Sequence, residues 1–423
     1  MLNRQQAPDF KQVSTINFIE PQRKQLDNKV PVYVVYSGEQ DLVRIEFLFN
    51  NVNWNLEKPL QAIAVSAMLN NGTIQYSSKE IAEQIDFYGA FFQTEYAQDQ
   101  STVTLYTLNK HLASVLPIVK NILSDSQFPQ HELDLYIQNQ KQKLQVNLQK
   151  NDILSRKEFA HALFGHTAYG VDIQARHYDE LKRQDLIDYF KAAYTPNNCT
   201  IVVSGKFDEE SFDLLNQQFG SNWAKSDSVA NTFNFDSAGK QYVYKERSEA
   251  IQSAIRIGKI AVNRKHEDFP GLQILNTVLG GYFGSRLMNN IREDKGYTYG
   301  IGSGISSLQD AGYFFIATEV GAEVCADALV EIYKEIELLK SELVGEEELA
   351  LVKNYMLGSM LGSLENIFSH ADKFKNIHFF GLDYDYYNQY IEKVKSITAE
   401  EIKDLANKYL SVDDFTEVVI GKK

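Results

Sequence analysis

Two side chains in the second half of the sequence are of types that could bind a polar ligand. Arg292 is a permanent cation with a planar fork of hydrogen-bond donors, and Tyr299, seven residues later, is a phenol. Tyr297 is a competing phenol, and side-chain alternation along a strand predicts that it shares a face with Tyr299. A structural interpretation is also open, in which Arg292 pairs at the surface with Glu293 or Asp294. In that interpretation Tyr299 belongs to the core.

These residues lie in the stretch 279–299, which predicts the end of an apolar helix, a glycine turn, a short helix and then a strand. The turn contains Gly280, Gly281 and Gly284. A phosphate-binding loop is a poor interpretation, because the turn follows a helix and lacks the Gly-Lys-Ser/Thr ending. We interpret the segment as a flexible turn.

The first half of the sequence predicts both strands and helices. In order, they are strands at 30–36 and 42–50, a helix at 59–69, a helix that begins at a capping box of Ser77 and Glu80, two strands within 90–108, a helix at 111–123, a helix at 180–194 and a strand at 200–205. The stretch 130–164 is mostly polar, and it predicts a long, exposed helical hairpin.

The second half predicts the same kinds of elements. They are strands at 254–261, 300–306 and 312–320 and helices at 269–279, 323–343 and 346–364. The helix and strand that end at Gly205 are repeated at Gly421, an offset of 216 residues, which indicates a duplicated domain. We therefore predict an α+β fold of two homologous domains, each an antiparallel sheet packed against helices. The predicted boundaries are 1–218, a polar linker at 219–245, and 246–423.

The composition limits the classes of protein to which the chain can belong. The chain has 42 lysine and arginine residues and 56 aspartate and glutamate residues, so its formal net charge is -14. This charge disfavours nucleic acid and anionic membranes as partners. The two cysteines, Cys199 and Cys325, form no CxxC motif, which argues against a disulfide framework or a thiolate metal site. Residues 1–12 lack the apolar run of a signal peptide, and no other stretch is apolar enough to span a membrane. We expect a cytoplasmic protein.

Short motifs spread over nearly the whole chain carry a resemblance to a known family. They are Met-Leu-Asn-Asn-Gly-Thr at 68–73, Ser-Ser-Lys-Glu-Ile at 77–81, Leu-Phe-Gly at 163–165 with Tyr-Gly at 169–170, and Ser-Arg-Leu at 285–287 with Arg292, Gly296 and Tyr299. Together with the duplicated order of elements, they resemble the pitrilysin or insulinase family of zinc peptidases. The resemblance is to the short-chain branch, which includes the subunits of mitochondrial processing peptidase and paired bacterial subunits.

The residues that the resemblance aligns with the zinc site of the family cannot form that site. An inverted His-x-x-Glu-His motif would fall on Ile63, Ser66 and Ala67, whose side chains neither bind zinc nor act as a base. The third ligand, a glutamate, would fall near Lys143, and no glutamate occurs at 133–157. The eight histidines include no i, i+4 pair with a carboxylate between them. We expect no metal or cofactor in this chain.

The resemblance implies a role for Arg292 and Tyr299. In the family, an Arg and a Tyr at this spacing hold the substrate backbone near the scissile carbonyl and stabilise its oxyanion, and in two-subunit members they lie on the chain without zinc. The chain would then be the non-zinc-binding subunit of a two-subunit zinc metalloendopeptidase, inactive alone. Its partners would be a zinc-bearing homologous subunit and an extended peptide substrate. The glycine turn would contact that peptide, and residues 90–94 align with the family's substrate-pairing edge strand.

Two other functions remain open. The first is a non-catalytic structural or peptide-binding homologue, possibly a homodimer, comparable with the family's core subunits in respiratory complexes. The second is a zinc enzyme with an unconventional site, which metal analysis would test.

Overall fold

The computed structural model describes residue 13 and residues 15–38, 40–235 and 239–423 of the chain. Its strands are β1 Gln22–Gln25, β2 Pro31–Tyr36, β3 Leu42–Asn50, β4 Phe91–Tyr96, β5 Gln100–Leu108, β6 Cys199–Gly205, β7 Gln241–Glu246, β8 Gln252–Ala261, β9 Thr298–Ser307, β10 Gly312–Gly321 and β11 Thr416–Gly421. The expectation about a signal peptide concerned residues 1–12, which lie outside the described residues. Across the described ranges, no helix combines the length and the apolar character needed to cross a membrane.

The helices surround the sheets in both halves. The α-helices are α1 Gln61–Met68, α2 Ser78–Phe87, α3 Leu112–Asp125, α4 Gln130–Asn147, α5 Asn151–Phe164, α6 Ala175–Asp179, α7 Arg183–Ala193, α8 Glu209–Phe219, α9 Phe269–Asn276, α10 Cys325–Ser341, α11 Glu346–Gly362, α12 Ile367–His378, α13 Asp385–Ser396 and α14 Ala399–Tyr409. Two π-helices span Thr277–Gly281 and Met288–Asp294, so Gly280 and Gly281 of the predicted glycine turn belong to the first of them and only Gly284 lies between the two. The predicted capping box at α2 is present, since Glu80 accepts from the Ser77 amide at 2.8 Å and donates its own amide to the Ser77 hydroxyl.

Each half of the chain contributes one sheet. The first has six strands in the order β1-β2-β6-β3-β5-β4, and the second has five in the order β7-β11-β8-β10-β9. The α+β fold of two sheets packed against helices is therefore confirmed. Within each sheet the paired strands are antiparallel except for one parallel pair, β2 with β6 and β7 with β11. A long crossover joins each parallel pair, as parallel pairing requires.

The two halves repeat the same order of elements. β2 and β7 are the same length and begin 210 residues apart, at Pro31 and Gln241. α7 and α14 are also equal in length and begin 216 residues apart, at Arg183 and Ala399. The six-residue difference between these offsets arises from unequal loops and elements between them. The duplication that the sequence indicates is visible in this correspondence.

The halves exchange one helix each. α5 of the first half packs against β8 and β11 of the second sheet, and α12 of the second half packs against β2 and β6 of the first. Consequently β6 and β11 are covered on both faces, which explains why both are nearly continuous apolar runs. The prediction of an exposed hairpin at 130–164 is wrong for α5, because its Phe159 and Phe164 are buried against the other half.

A cluster of charged residues, which we call the interdomain charge cluster, holds α12 on the first sheet. It consists of Arg44 and Glu46 on β3 and Asp372 and Lys375 on α12. Arg44 Nη2 lies 2.9 Å from Asp372 Oδ1, and Lys375 Nζ binds both carboxylates. Burial would raise the pKa of Asp372, but Lys375 and Arg44 lower it below the usual value. The cluster therefore links the halves by charge-assisted contacts.

The predicted linker at 219–245 is attached to both halves along its described part. Phe233 and Phe235 pack with the rings of Phe164 and Tyr169 at centroid separations of 5.1 to 5.6 Å. β7 begins at Gln241, inside the predicted linker range, and pairs with β11 as an edge strand of the second sheet. The segment therefore contributes aromatic packing at the junction of the halves as well as connecting them.

The segment that precedes β1 crosses to the second half. Ile16 belongs to the second core, and the Phe18 ring stacks on Tyr387 at a centroid distance of 4.7 Å. The Ile19 amide donates to Nδ1 of His370 on α12 at 3.1 Å. Since a protonated imidazole has no acceptor, this contact requires neutral His370.

The attachment of this segment should depend on pH. Burial lowers the pKa of His370, so the unfolded chain takes up the proton first as the pH falls. The stabilisation by neutral His370 is complete above about pH 6.5 and is lost as the pH falls through the folded-state pKa. We expect the free energy of unfolding, measured by urea titration, to decrease more steeply over this range in the wild type than in His370→Ala. The exposed His131 gives a control, His131→Ala, that should keep the wild-type slope; equal slopes in all three proteins would contradict the prediction.

Candidate functional site

Arg292 lies on the π-helix Met288–Asp294 and is supported by an aromatic ring. Its guanidinium carbon is 4.7 Å from the centroid of the Phe283 ring, a cation–π contact. Its Nε lies 3.5 Å from Glu293 Oε1, and the two side chains are 34% and 52% exposed. An ion pair of this length and exposure contributes little to stability. Arg292 therefore keeps donors free to bind a ligand, although the surface pair with Glu293 also exists.

The π-helix itself is fixed to the rest of the second half by a second arginine. Arg286 forms two parallel bonds of 2.8 Å to the carboxylate of Glu348 on α11. Its hydrogen bond to Glu348 raises the pKa of Arg286 further above its ordinary value. Bidentate pairs of this kind fix geometry as well as adding energy. Arg286 therefore acts as an anchor of the segment, while Arg292, one and a half turns later, faces solvent.

Tyr299 projects from a β-bulge near the start of β9. The register between β9 and β10 shifts between Thr318 and Val320, so one residue of β10 opposes two of β9. The Thr298 hydroxyl donates to Glu319 O at 2.6 Å and accepts from the Gly300 amide at 3.1 Å, which holds the bulge. Bulges re-aim side chains at functional sites. The result is a phenol that is 93% exposed on the open edge of the second sheet.

The prediction that Tyr297 shares a face with Tyr299 is wrong. Tyr297 precedes β9 and is half-buried against the second core. Its amide donates to Ile291 O at 3.0 Å, which closes the turn after the π-helix. Strand alternation does not apply here because the strand begins only at Thr298 and bulges at once. Tyr297 therefore supports the site from beneath, whereas Tyr299 stands free of the core.

The glycine turn is tightly packed at one end. Gly280 is buried, and a Cβ added there would lie 2.6 Å from the Ser303 hydroxyl and 2.8 Å from the Ser303 amide. Glycine is needed at this position for close packing against β9, and the contact of Gly280 with substrate stays a prediction. Gly281 is exposed and Gly284 is half-exposed, so these two can still contact a ligand.

The positions aligned with the family's zinc motif offer no ligand set. Ile63 is half-buried, Ser66 is buried within α1, and Ala67 is exposed. Lys143 is an exposed cation on α4. Zn²⁺ takes imidazole, thiolate or carboxylate ligands, and none of these four side chains provides one. Over the whole described part of the chain, no group of three or more His, Cys, Asp and Glu side chains could hold a metal ion.

The first sheet ends in an open edge at β4, the strand that contains most of the predicted pairing segment. β4 is the last strand of the sheet and pairs on one side only, with β5. None of its residues is buried, and Phe91 is 54% exposed. Its outer backbone groups are therefore available to another extended chain.

Two features of the site were not predicted from the sequence. The first is the contact of Phe283 with Arg292. The sequence shows an aromatic residue next to Gly284 in the turn, which could have indicated this contact. The second is the pair of threonines that hold the bulge, Thr298 and Thr318. No sequence pattern indicates their role, because the Thr318 hydroxyl reaches Gly300 O at 3.0 Å only once β9 and β10 are paired.

Comparisons with known proteins agree with this architecture. Residues 180–356 match the family model described as peptidase M16 inactive domain. An uncharacterised zinc protease of Bacillus subtilis, YmxG, is 25% identical over 357 residues, covering 82% of this chain and 84% of the relative. A Helicobacter pylori protein named non-peptidase homolog YmxG is 23% identical over 371 residues, covering 84% of this chain and 83% of the relative.

A solved structure gives the same result for the fold. The crystal structure of a peptidase M16 inactive domain from Pseudomonas fluorescens superposes with a TM-score of 0.85 at 21% identity, covering 95% of this chain and 98% of the other. The resemblance inferred from the sequence motifs is thereby confirmed: the chain is similar to proteins named as zinc proteases or non-peptidase homologues, and its residues 180–356 match the model of the peptidase M16 inactive domain.

Proposed function

We propose that this chain is the non-zinc-binding subunit of a two-subunit zinc metalloendopeptidase that cleaves extended peptides. One observation carries the proposal. Arg292 and Tyr299 both reach solvent, Arg292 with a ring beside its guanidinium and Tyr299 beside a β-bulge. The same chain lacks ligands at Ile63, Ser66 and Ala67. A chain with this combination can bind a substrate but needs its metal from elsewhere.

The two side chains can supply hydrogen bonds to a substrate carbonyl. Arg292 offers planar, charged donors, and Tyr299 offers one hydroxyl on a rigid ring. Both are accessible in the isolated chain, where water weakens their electrostatic effect. Enclosure between two subunits would lower the local dielectric constant and strengthen both interactions with a developing oxyanion. In this proposal, the partner's zinc supplies the activated water.

The proposed substrate is an extended peptide because the molecule presents open strand edges. β4 and β9 each form the free edge of a sheet. A peptide that adds to a sheet edge gains backbone hydrogen bonds, and its alternate side chains face pockets. A folded substrate could not pair in this way, so the enzyme would favour unstructured segments.

The alternative is a non-catalytic homologue that binds peptides or another copy of itself. The relative from Helicobacter pylori is named a non-peptidase homolog, which supports this alternative. The two functions predict different binding partners for the chain. A zinc-bearing homologue with His-x-x-Glu-His should co-purify in the first case, and a homodimer should form in the second.

Affinity capture of the chain from its native source, followed by a quenched-peptide cleavage assay, tests the proposal. We expect no cleavage by the chain alone, cleavage by the captured complex, and loss of that cleavage with a chelator. Capture of the chain only as a homodimer, with no zinc-bearing homologue, would contradict the proposal and favour the alternative.

Tyr299→Phe should lower turnover in the complex by about 10-fold or more, because it removes one oxyanion donor. The folded chain should keep its stability, since the ring is 93% exposed. Tyr297→Phe is the matched control and should leave turnover near the wild-type value. Measured kcat values that are equal in wild type and Tyr299→Phe would remove this residue from the proposed mechanism.

A further inference from the structure

The second half contains a cavity of about 430 Å³ whose walls include residues of α9, α11, α12 and α13. Its polar, uncharged lining includes Gln273, Thr277 and Ser359.

Aromatic rings and two cations dominate this cavity. The rings are Phe269, Tyr355, Tyr386, Tyr387 and Tyr390, and the cations are Arg264 and Lys373. No carboxylate is among the residues that line it. In a chain with a net charge of -14, two cations that face a shared cavity without an acidic side chain are unexpected.

Arg264 is held by rings and one backbone carbonyl. Its guanidinium carbon lies 5.8 Å from the Tyr386 centroid and 6.0 Å from that of Phe269, and its Nη1 donates to Asn376 O at 3.1 Å. Its Nε is buried and has no hydrogen-bond partner in the described part of the molecule. A buried donor without a partner costs free energy.

Lys373 lies on α12 and completes the pair. Among the described residues, its ammonium group makes no hydrogen bond and no ion pair of 4.0 Å or less. Burial lowers the pKa of Lys373, and the neighbouring charge of Arg264 lowers it further. The charge of Asp372 opposes both effects. Because Arg264 and Lys373 line the same cavity, an anion bound there would interact favourably with both cations.

We propose that this cavity binds a small organic anion that carries a planar ring. Arg264 and Lys373 bind its carboxylate or phosphate, the tyrosine and phenylalanine rings pack against its ring, and Gln273 and Ser359 offer further hydrogen bonds. The volume lies within the range of small-molecule sites, roughly 300 to 1,000 Å³. This binding is independent of the proposed peptidase role, because it needs neither the partner subunit nor Arg292.

Calorimetric titration of the full chain tests the proposal with three ring compounds: phenyl phosphate, benzoate and the uncharged benzamide. We expect binding of at least one of the two anions and at least 10-fold weaker binding of benzamide. The preferred anion distinguishes a phosphate site from a carboxylate site. Lys373→Gln is the main variant, because the lysine ammonium makes no contact that the fold requires. It should weaken the anion at least 10-fold, and Arg264→Gln should do the same.

The matched control is Lys79→Gln, which removes an exposed lysine of α2 in the first half and should leave binding unchanged. Absence of binding by both anions, equal binding of benzamide, or unchanged affinity in Lys373→Gln would each overturn the proposal.

Discussion

Replacement of Arg292 by alanine is expected to lower the turnover of the reconstituted peptidase by about 100-fold, the effect of removing one strong donor from a developing oxyanion. The guanidinium rests on Phe283 and is one-third exposed, so it is oriented without being committed to a strong partner. Its loss should reduce kcat more than it raises KM, because charge at the scissile carbonyl develops in the transition state. Steady-state cleavage of a quenched peptide by the complex measures both constants.

Two controls separate this role from a surface ion pair. Glu293→Gln removes the charge that Arg292 contacts at 3.5 Å and should leave turnover near the wild-type value. The free energy of unfolding should change by less than about 1 kcal/mol in either variant, as is typical of exposed pairs. Unchanged kcat in Arg292→Ala, with intact assembly of the complex, would contradict the proposed role.

Glu46→Ala should destabilise the chain by about 3 kcal/mol, a value at the low end for breaking a buried ion pair. Glu46 is 3% exposed and lies between Arg44, at 3.1 Å, and Lys375. Its removal leaves two cations with Asp372 as their remaining carboxylate. Equilibrium unfolding in urea measures the loss. Because the interdomain charge cluster joins the halves, the unfolding transition should also broaden.

The double variant Glu46→Ala with Lys375→Ala tests the charge argument. It removes one charge of each sign and leaves the pair of Arg44 and Asp372, so its destabilisation should be smaller than the sum of the two single changes. Glu83→Ala is the matched surface control, since the Lys79–Glu83 pair is exposed. If Glu46→Ala lowers the free energy of unfolding no more than Glu83→Ala does, burial does not strengthen the ion pairs of Glu46.

Local patterns predicted most elements of the fold. The strands at 30–36 and 42–50 and the capping box at Ser77 depend on neighbouring residues, and the structure reproduces them closely. The repeat was detectable because the helix and strand that end each half are similar in sequence. Such signals survive because backbone hydrogen bonding and burial act over a few residues at a time.

The burial of α5 could not be predicted from local sequence patterns. Its apolar residues do not follow a clear helical period, so its amphipathic pattern is weak. The surface that buries Phe159 and Phe164 comes from β8 and β11, at least 88 residues further along the chain. A sequence pattern records the period of an element but not which distant surface covers it.

The orientation of Tyr299 depends on a register shift between strands. Alternation along β9 assumes a regular ladder, and the bulge beside Glu319 breaks that assumption. The sequence was enough to select Arg292 and Tyr299 by residue type and spacing. To predict that Tyr297 and Tyr299 have different environments, the pairing of β9 with β10 must be known.

The exchange of helices has a consequence for synthesis on the ribosome. The outer face of the first sheet, which includes Val35, Leu48 and Val202, is covered by Ala371 and Phe374 of α12. β6 completes that sheet at Gly205, but α12 begins only at Ile367. At about 5 to 20 residues per second, an apolar surface stays bare for roughly 8 to 30 s while the second half is made. A nascent chain of this protein therefore exposes an apolar surface that the finished molecule conceals.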